Sequence, residues 1–117
     1  MGEDHMSSMR VLQTAQKEER YMQLVVQLLK DFRLANISVD FTPLISTEDL
    51  KRIVHEKVYY LIMEKFNDYL NLMYVIDIPE KSFKNAKFAD VVEFSEKATY
   101  FILQRELQKV RLKESLE

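Results

Sequence analysis

STEDLKRIVHEKVYYLIMEKFNDYLNLM, residues 46–73, reads as one long amphipathic helix. Ser46 or Thr47 can accept the free amide protons of a first turn, and Glu48 and Asp49 put negative charge at the positive end of the helix dipole. Leu50, Ile53, Val54, Val58, Leu61, Ile62, Phe66, Tyr69, Leu70 and Met73 recur at helical spacing, and Tyr59, Met63 and Leu72 widen the set. From Val58 onward the apolar arc spans about 200°, roughly twice what packing against one neighbour requires. Glu56, Lys57, Glu64, Asn67, Asp68 and Asn71 collect on the remaining face. A helix this broadly apolar is expected at the centre of the fold.

No Gly or Pro interrupts this stretch, and the whole chain of 117 residues holds one Gly, two Pro and no Cys. Those two residues are the main punctuators of backbone structure, so their scarcity predicts few turns and long helices. Upstream, a first helical segment is read from about Ser8 to Ala35, with Ala15, Met22, Val25, Val26, Leu29 and Phe32 on one stripe and Tyr21, Leu24 and Leu28 beside it. Between Gln13 and Arg20 only Ala15 is apolar, which predicts an overhang that projects or meets a partner. From Asn36 to Ser46, Ile37, Val39 and Phe41 alternate with polar residues ahead of Pro43, the pattern of an extended crossing linker.

Downstream, Asp77-Ile78-Pro79-Glu80 stops the second helix. Pro79 pushes Ile78 out of the α region, and Asp77 and Glu80 have capping-box spacing, so a short helical turn over 79–84 with a break at Asn85 is expected. The third helix then runs to about Lys113, with Val91, Phe94, Ala98, Phe101 and Ile102 on one stripe and Phe88, Val92, Leu103, Leu107 and Val110 on another, which implies two neighbours. Glu93 and Lys97 have the spacing of a helical ion pair. The fold expected is all-α: a bundle of three long helices, with an extended linker after helix 1 and a short helical turn before helix 3. Residues 1–7 read as a disordered leader, since Met1, Met6 and Met9 recur with His5 between them, and residues 8–117 as a single helical domain.

Composition excludes several functions. The chain is 47% apolar and 31% charged, which fits a folded helical domain, and its formal net charge of −2 provides no general attraction to phosphate backbones or anionic lipid. The longest apolar run, Val58–Met63, is far short of the ~20 residues needed to span a bilayer, and no signal peptide is read, so no membrane partner and a cytoplasmic location are expected. The absence of Cys removes disulfides, thiolate metal sites and a thiol nucleophile.

Only His5 and His55 could serve acid–base or metal chemistry. His5 lies in the leader, and His55, near the apolar arc, is expected to be a partly buried, hydrogen-bonded side chain. Neither matches a Glu-x-x-His or His-Glu-x-x-His pattern. Glu64, Asp68 and Asn71 share a face, as solvated helix residues usually do, and carry no metal assignment. Ser38, Ser46, Ser82 and Ser95 lack a nucleophile-elbow context. No catalytic residue, cofactor site or metal site is therefore assigned, and the chain is not expected to be an enzyme. Arg10, Lys17, Arg20, Arg105, Lys109, Arg111 and Lys113 could form a basic patch, but Glu18, Glu19, Glu106 and Glu114 are interleaved with them, so nucleic acid is an unlikely partner.

Seven Phe, six Tyr and six Met exceed what a thin bundle hides. Tyr59, Met63, Phe66, Tyr69 and Met73 are the candidate interface or pocket residues, with Phe66 expected deep among Ile62, Tyr69 and Leu70. The leading expectation is a non-enzymatic helical interaction protein, a symmetric homodimer acting as scaffold or adaptor, with room for an unidentified protein partner. Its alternatives are a small-molecule-binding helical regulator with an aromatic and Met-lined pocket, and a weak nucleic-acid-binding protein. With no His or Cys ligand set at usable spacing, EDTA should leave the melting temperature unchanged, and a fall of several degrees would show a structural metal.

Overall fold

Glu19, Asn36 and Asp77 hold positive φ angles of 59°, 61° and 71°, and each one ends a helix. In the computed structural model, which describes residues 7–83, 87 and 89–116, all three ends close in the same way. The amide after the left-handed residue reaches back to a carbonyl five positions earlier: Arg20 to Ala15 (2.8 Å), Ile37 to Phe32 (2.9 Å) and Ile78 to Met73 (3.0 Å). The left-handed residue itself bonds three back, as Glu19 to Gln16, Asn36 to Arg33 and Asp77 to Tyr74. This is the Schellman pattern, which satisfies the last carbonyls of a helix and reverses the chain. Glycine is its usual occupant; this chain uses Glu, Asn and Asp.

The consequence is five α-helices among the described residues where three were expected: α1 (Ser8–Lys17), α2 (Tyr21–Leu34), α3 (Thr47–Glu64), α4 (Phe66–Ile76) and α5 (Val91–Leu116). The all-helical class stands, but the first helix read from the sequence is divided at Glu19 and the second at Lys65. Lys65 leaves helical dihedrals (φ −142°, ψ 59°), yet its amide still bonds Leu61 and its carbonyl still accepts from Tyr69. The α3–α4 junction is thus a one-residue bend in a nearly continuous ladder. A short 3₁₀ turn, Glu80–Phe83, precedes α5. Asn85, Phe88 and leader residues 1–6 lie outside the described residues.

Capping chemistry sets the other ends. Ser7 Oγ accepts from the Arg10 amide (3.1 Å) and Ser46 Oγ from the Asp49 amide (3.2 Å). At α5, Asp90 accepts from the Glu93 amide, and Glu93 turns back to the Ala89 amide, so its carboxylate caps the helix where the sequence suggested a pair with Lys97.

The Glu19 corner folds α1 back onto the bundle, where it packs against α5, α3 and α2. Val11, Leu12 and Ala15 are buried, Leu12 and Ala15 completely, so the overhang expected around Gln13–Arg20 is instead a docked helix and its corner. Three small or medium side chains at three- and four-residue steps are enough to bury one face of a ten-residue helix. The corner is pinned by charge: Glu18 accepts from Arg20 and from Arg111 of α5, while Arg20 Nε reaches Glu114 at 2.6 Å. Between α2 and α3 the linker crosses in extended form, with Ile37 buried, Val39 and Phe41 half-buried and Ser38 and Asp40 exposed. The Tyr21 hydroxyl donates to the Ile45 carbonyl (2.7 Å) and holds the linker's far end.

The centre of the fold is α5, not the second helix of the sequence reading. It packs against α1, α2, α3 and α4, and buries Ser95, Ala98, Thr99, Tyr100, Ile102, Leu103, Glu106, Leu107 and Val110. Phe83 of the 3₁₀ turn stacks on Phe94 (5.2 Å) and meets Phe101 edge-on (5.0 Å), which clamps the turn onto α5. Because α1 is part of this core, Leu12→Ala should lower stability by about 2 to 5 kcal/mol, read by chemical denaturation; a change within error would mean that α1 does not dock in solution.

Candidate functional site

Tyr59 and Met63 of α3 are four residues apart, and Phe66, Leu70 and Tyr74 of α4 follow one another at steps of four beyond the bend at Lys65, the spacing that keeps side chains of each helix on one face. That face points outward, with exposures from 37% at Tyr59 through 50% at Met63 and Phe66 to 84% at Tyr74. The wide arc of the sequence reading therefore divides. Leu50, Val54, Val58, Leu61, Tyr69, Leu72, Met73 and Ile76 enter the core, Ile53 and Ile62 are half-buried, and Tyr59, Met63, Phe66 and Leu70 remain on the surface. Phe66, expected in the interior, is half-exposed, because the bend at Lys65 brings Tyr69 and Leu72 to the core in its place. Its ring still touches Tyr69 (5.5 Å between centroids), and Tyr69 meets Phe94 edge-on (6.1 Å), so a continuous line of rings joins the surface stripe to the centre of the fold.

Of the five residues selected from the sequence, Tyr59, Met63 and Phe66 lie on this surface, while Tyr69 and Met73 are buried beneath it. Burial pushes the Tyr69 hydroxyl up to about 12. Leu70 and Tyr74 complete the stripe, and Tyr60 stands beside it with Lys57 Nζ 5.8 Å from the centre of its ring. Polar residues along the stripe alternate in sign: Glu56, Lys57, Glu64, Lys65 and Asp68.

The fold also joins residues that the sequence kept apart. His55 Nε2 lies 2.7 Å from Ser95 Oγ, forty positions away in the chain, beside a cleft of about 580 Å³ lined by Lys51, Asp90, Glu96 and Lys97 among others. Ser95 is fully buried, and its Oγ also lies within hydrogen-bond distance of the Val92 carbonyl (2.9 Å). The pair accordingly acts as a cross-link between α3 and α5.

At the seam of α2 and α5 stands a cluster that sequence reasoning missed. Asp31, 3% exposed, accepts from Gln27 (3.1 Å) and from Lys109 Nζ (2.8 Å). Glu106 is completely buried, no N–H donor lies within hydrogen-bond distance of its oxygens, the Asp31 carboxylate is its hydrogen-bonding neighbour, and Lys109 Nζ lies 3.7 Å from Oε1. Burial first, and then the neighbouring Asp31 carboxylate, push Glu106 up to about 9 against the pull of Lys109. The signal that could have found it is the position of Glu106 between Leu103 and Leu107 and Val110, inside the apolar stripe of its own helix. Among the described residues no group of three His, Cys, Asp or Glu side chains is arranged to hold a metal ion.

No helix is long and apolar enough to cross a membrane, among the described residues. Comparison with protein-family models, curated proteins and solved structures finds no match.

Among the described residues Lys109 is the cation set between the two buried carboxyl groups. Lys109→Met should cost roughly 3 to 5 kcal/mol, because it leaves Asp31 in the interior without its counter-charge. Denaturant titration at neutral pH checks it, and a cost below 1 kcal/mol would mean that water reaches Asp31.

Proposed function

We propose that this chain is a non-enzymatic interaction protein that pairs with a second copy of itself through the α3–α4 stripe, as a symmetric homodimer serving as a scaffold. The observation that carries the reading is the exposed row Tyr59, Met63, Phe66, Leu70 and Tyr74. Aromatic and Met side chains at the centre of a patch, ringed by polar residues, are what stable interfaces are made of. A second copy is the occupant favoured by charge. The margin carries both signs within a few residues, at Glu56, Lys57, Glu64 and Lys65, and a net charge of −2 offers little repulsion between copies. A two-fold axis across the stripe would set each such margin against its own equivalent.

The other readings draw less support. Four clefts of about 350 to 620 Å³ among the described residues are lined by none of Met63, Phe66, Tyr69 or Met73, so they give no support to the aromatic pocket of a small-molecule regulator. Arg20, Arg105, Lys109 and Arg111, the heart of a basic patch, are all engaged with carboxylates: Glu18 and Glu114, Asp77, Asp31 and Glu18 again. Bound in this way they offer little to a phosphate backbone.

Light scattering at micromolar concentration should return twice the chain mass. Leu70→Asp and Phe66→Asp should halve it while leaving the helical content of each chain unchanged, since both side chains are about half exposed on the single chain. A monomeric wild-type chain would refute the proposal, as would a dimer that survives both aspartate substitutions.

A further inference from the structure

A fully buried carboxyl group whose neighbour is a second carboxyl group is a costly thing to keep in a core, and Glu106 stands in this way against Asp31 on the helix on which every other helix rests. Its neighbours are defined. Asp31 faces it from α2, Lys109 from its own helix, and these two are the charged groups that act on it. The single ammonium lies on the Asp31 carboxylate at 2.8 Å and stands off from Glu106 at 3.7 Å. Gln27 gives its amide N–H to Asp31 as well. The seam therefore holds two acids and one cation, with both donors committed to Asp31.

One negative charge is compensated in this arrangement and a second is not. We propose that Glu106 is a proton-operated latch on the α2–α5 seam: it is stored as the neutral acid, and loss of its proton to solvent base sets two buried carboxylates against one lysine and drives α2 away from α5. The remaining surroundings give the new charge no relief. The carboxylates and guanidinium groups of Glu18, Arg20, Arg111 and Glu114 are already joined to one another at the exposed end of the seam. Movement of α2 would open Asp31 and Glu106 to water together, since they lie on opposite sides of the same contact.

The direction of the pH dependence follows from the proton count. Glu106 binds its proton more tightly in the folded chain than in the unfolded one, so its contribution to stability is complete below the ordinary carboxylate range near 4.5 and is lost as pH rises toward about 9. This is the reverse of a salt-bridged carboxylate, which stabilises as pH rises. The latch does not depend on self-association, because none of its four residues belongs to the α3–α4 stripe.

The experiment is denaturant unfolding of the full chain from pH 5 to pH 9, beside Glu106→Gln, which keeps the shape and cannot ionise. Relative to the variant, the wild-type unfolding constant should rise by about tenfold per pH unit across the window. Carbon-13 titration of the wild-type glutamate carboxyls supplies a reading that needs no variant: the Glu106 signal should titrate on the alkaline side of neutrality, and the amide signals of Gln27 and Asp31 should move with the same midpoint. Parallel pH profiles for the two proteins would overturn the latch. So would a Glu106 midpoint near 4.5, or a midpoint that α2 does not follow.

Discussion

Everything in this fold depends on three residues standing in the left-handed region at the ends of helices. Glu19, Asn36 and Asp77 turn the chain without glycine, and a non-glycine residue there costs on the order of 1 to 3 kcal/mol, least for Asn and Asp. Glu19 is the least suited of the three, and its corner has the most elaborate support. Glu18, Arg20, Arg111 and Glu114 form one chain of charge-assisted hydrogen bonds between the α1–α2 corner and the last turns of α5. Each exposed pair alone contributes little. Linked together, they hold one geometry, and the Arg111 hydrogen bond in particular draws the Glu18 carboxyl below the usual range.

Once the corners are set, α5 becomes the shared wall of the bundle. A helix with four neighbours has almost no solvated face in its middle, so any polar residue placed there must be satisfied within the protein. Thr99 meets this demand by donating to the Ser95 carbonyl one turn back, and Ser95 by bonding Val92 and His55. Glu106 has only a second carboxyl group, Asp31, and a lysine at 3.7 Å to meet it. The contrast within a single helix makes the Glu106 carboxyl the point where the core departs from the rule that buried polar groups are paired, and such departures tend to mark function more often than packing.

The surface departs from rule in the other sense. Tyr59, Met63, Phe66, Leu70 and Tyr74 remain in water although the core lies one side chain away through Tyr69. A 117-residue chain has a limited interior, and the bend at Lys65 divides the apolar residues of α3 and α4 between that interior and the outside. The proposed self-pairing and the proposed proton latch would use separate parts of the molecule, the first the exposed apolar residues of α3 and α4, the second the contact between α2 and α5.

The sequence by itself determined the helical class, the cap at Ser46, the short helical turn after Pro79, the linker with its alternating Ile37, Val39 and Phe41, and the presence of more apolar surface than a bundle needs. These are local or periodic properties, and 3.6-residue spacing or a capping side chain carries them without reference to the rest of the chain. Tertiary structure alone decided that the first helix is two and the second bends. A Schellman end built on Glu19 has no compositional mark, since glutamate is an ordinary helix former whose left-handed conformation is maintained by Arg111 and Glu114 from ninety residues away. The face of Phe66 was settled in the same way, because one residue outside helical dihedrals at Lys65 rotates everything beyond it. Pairing across the fold, His55 with Ser95 and Asp31 with Lys109, is likewise invisible to spacing. It exists only because α5 is the element against which every other helix comes to rest.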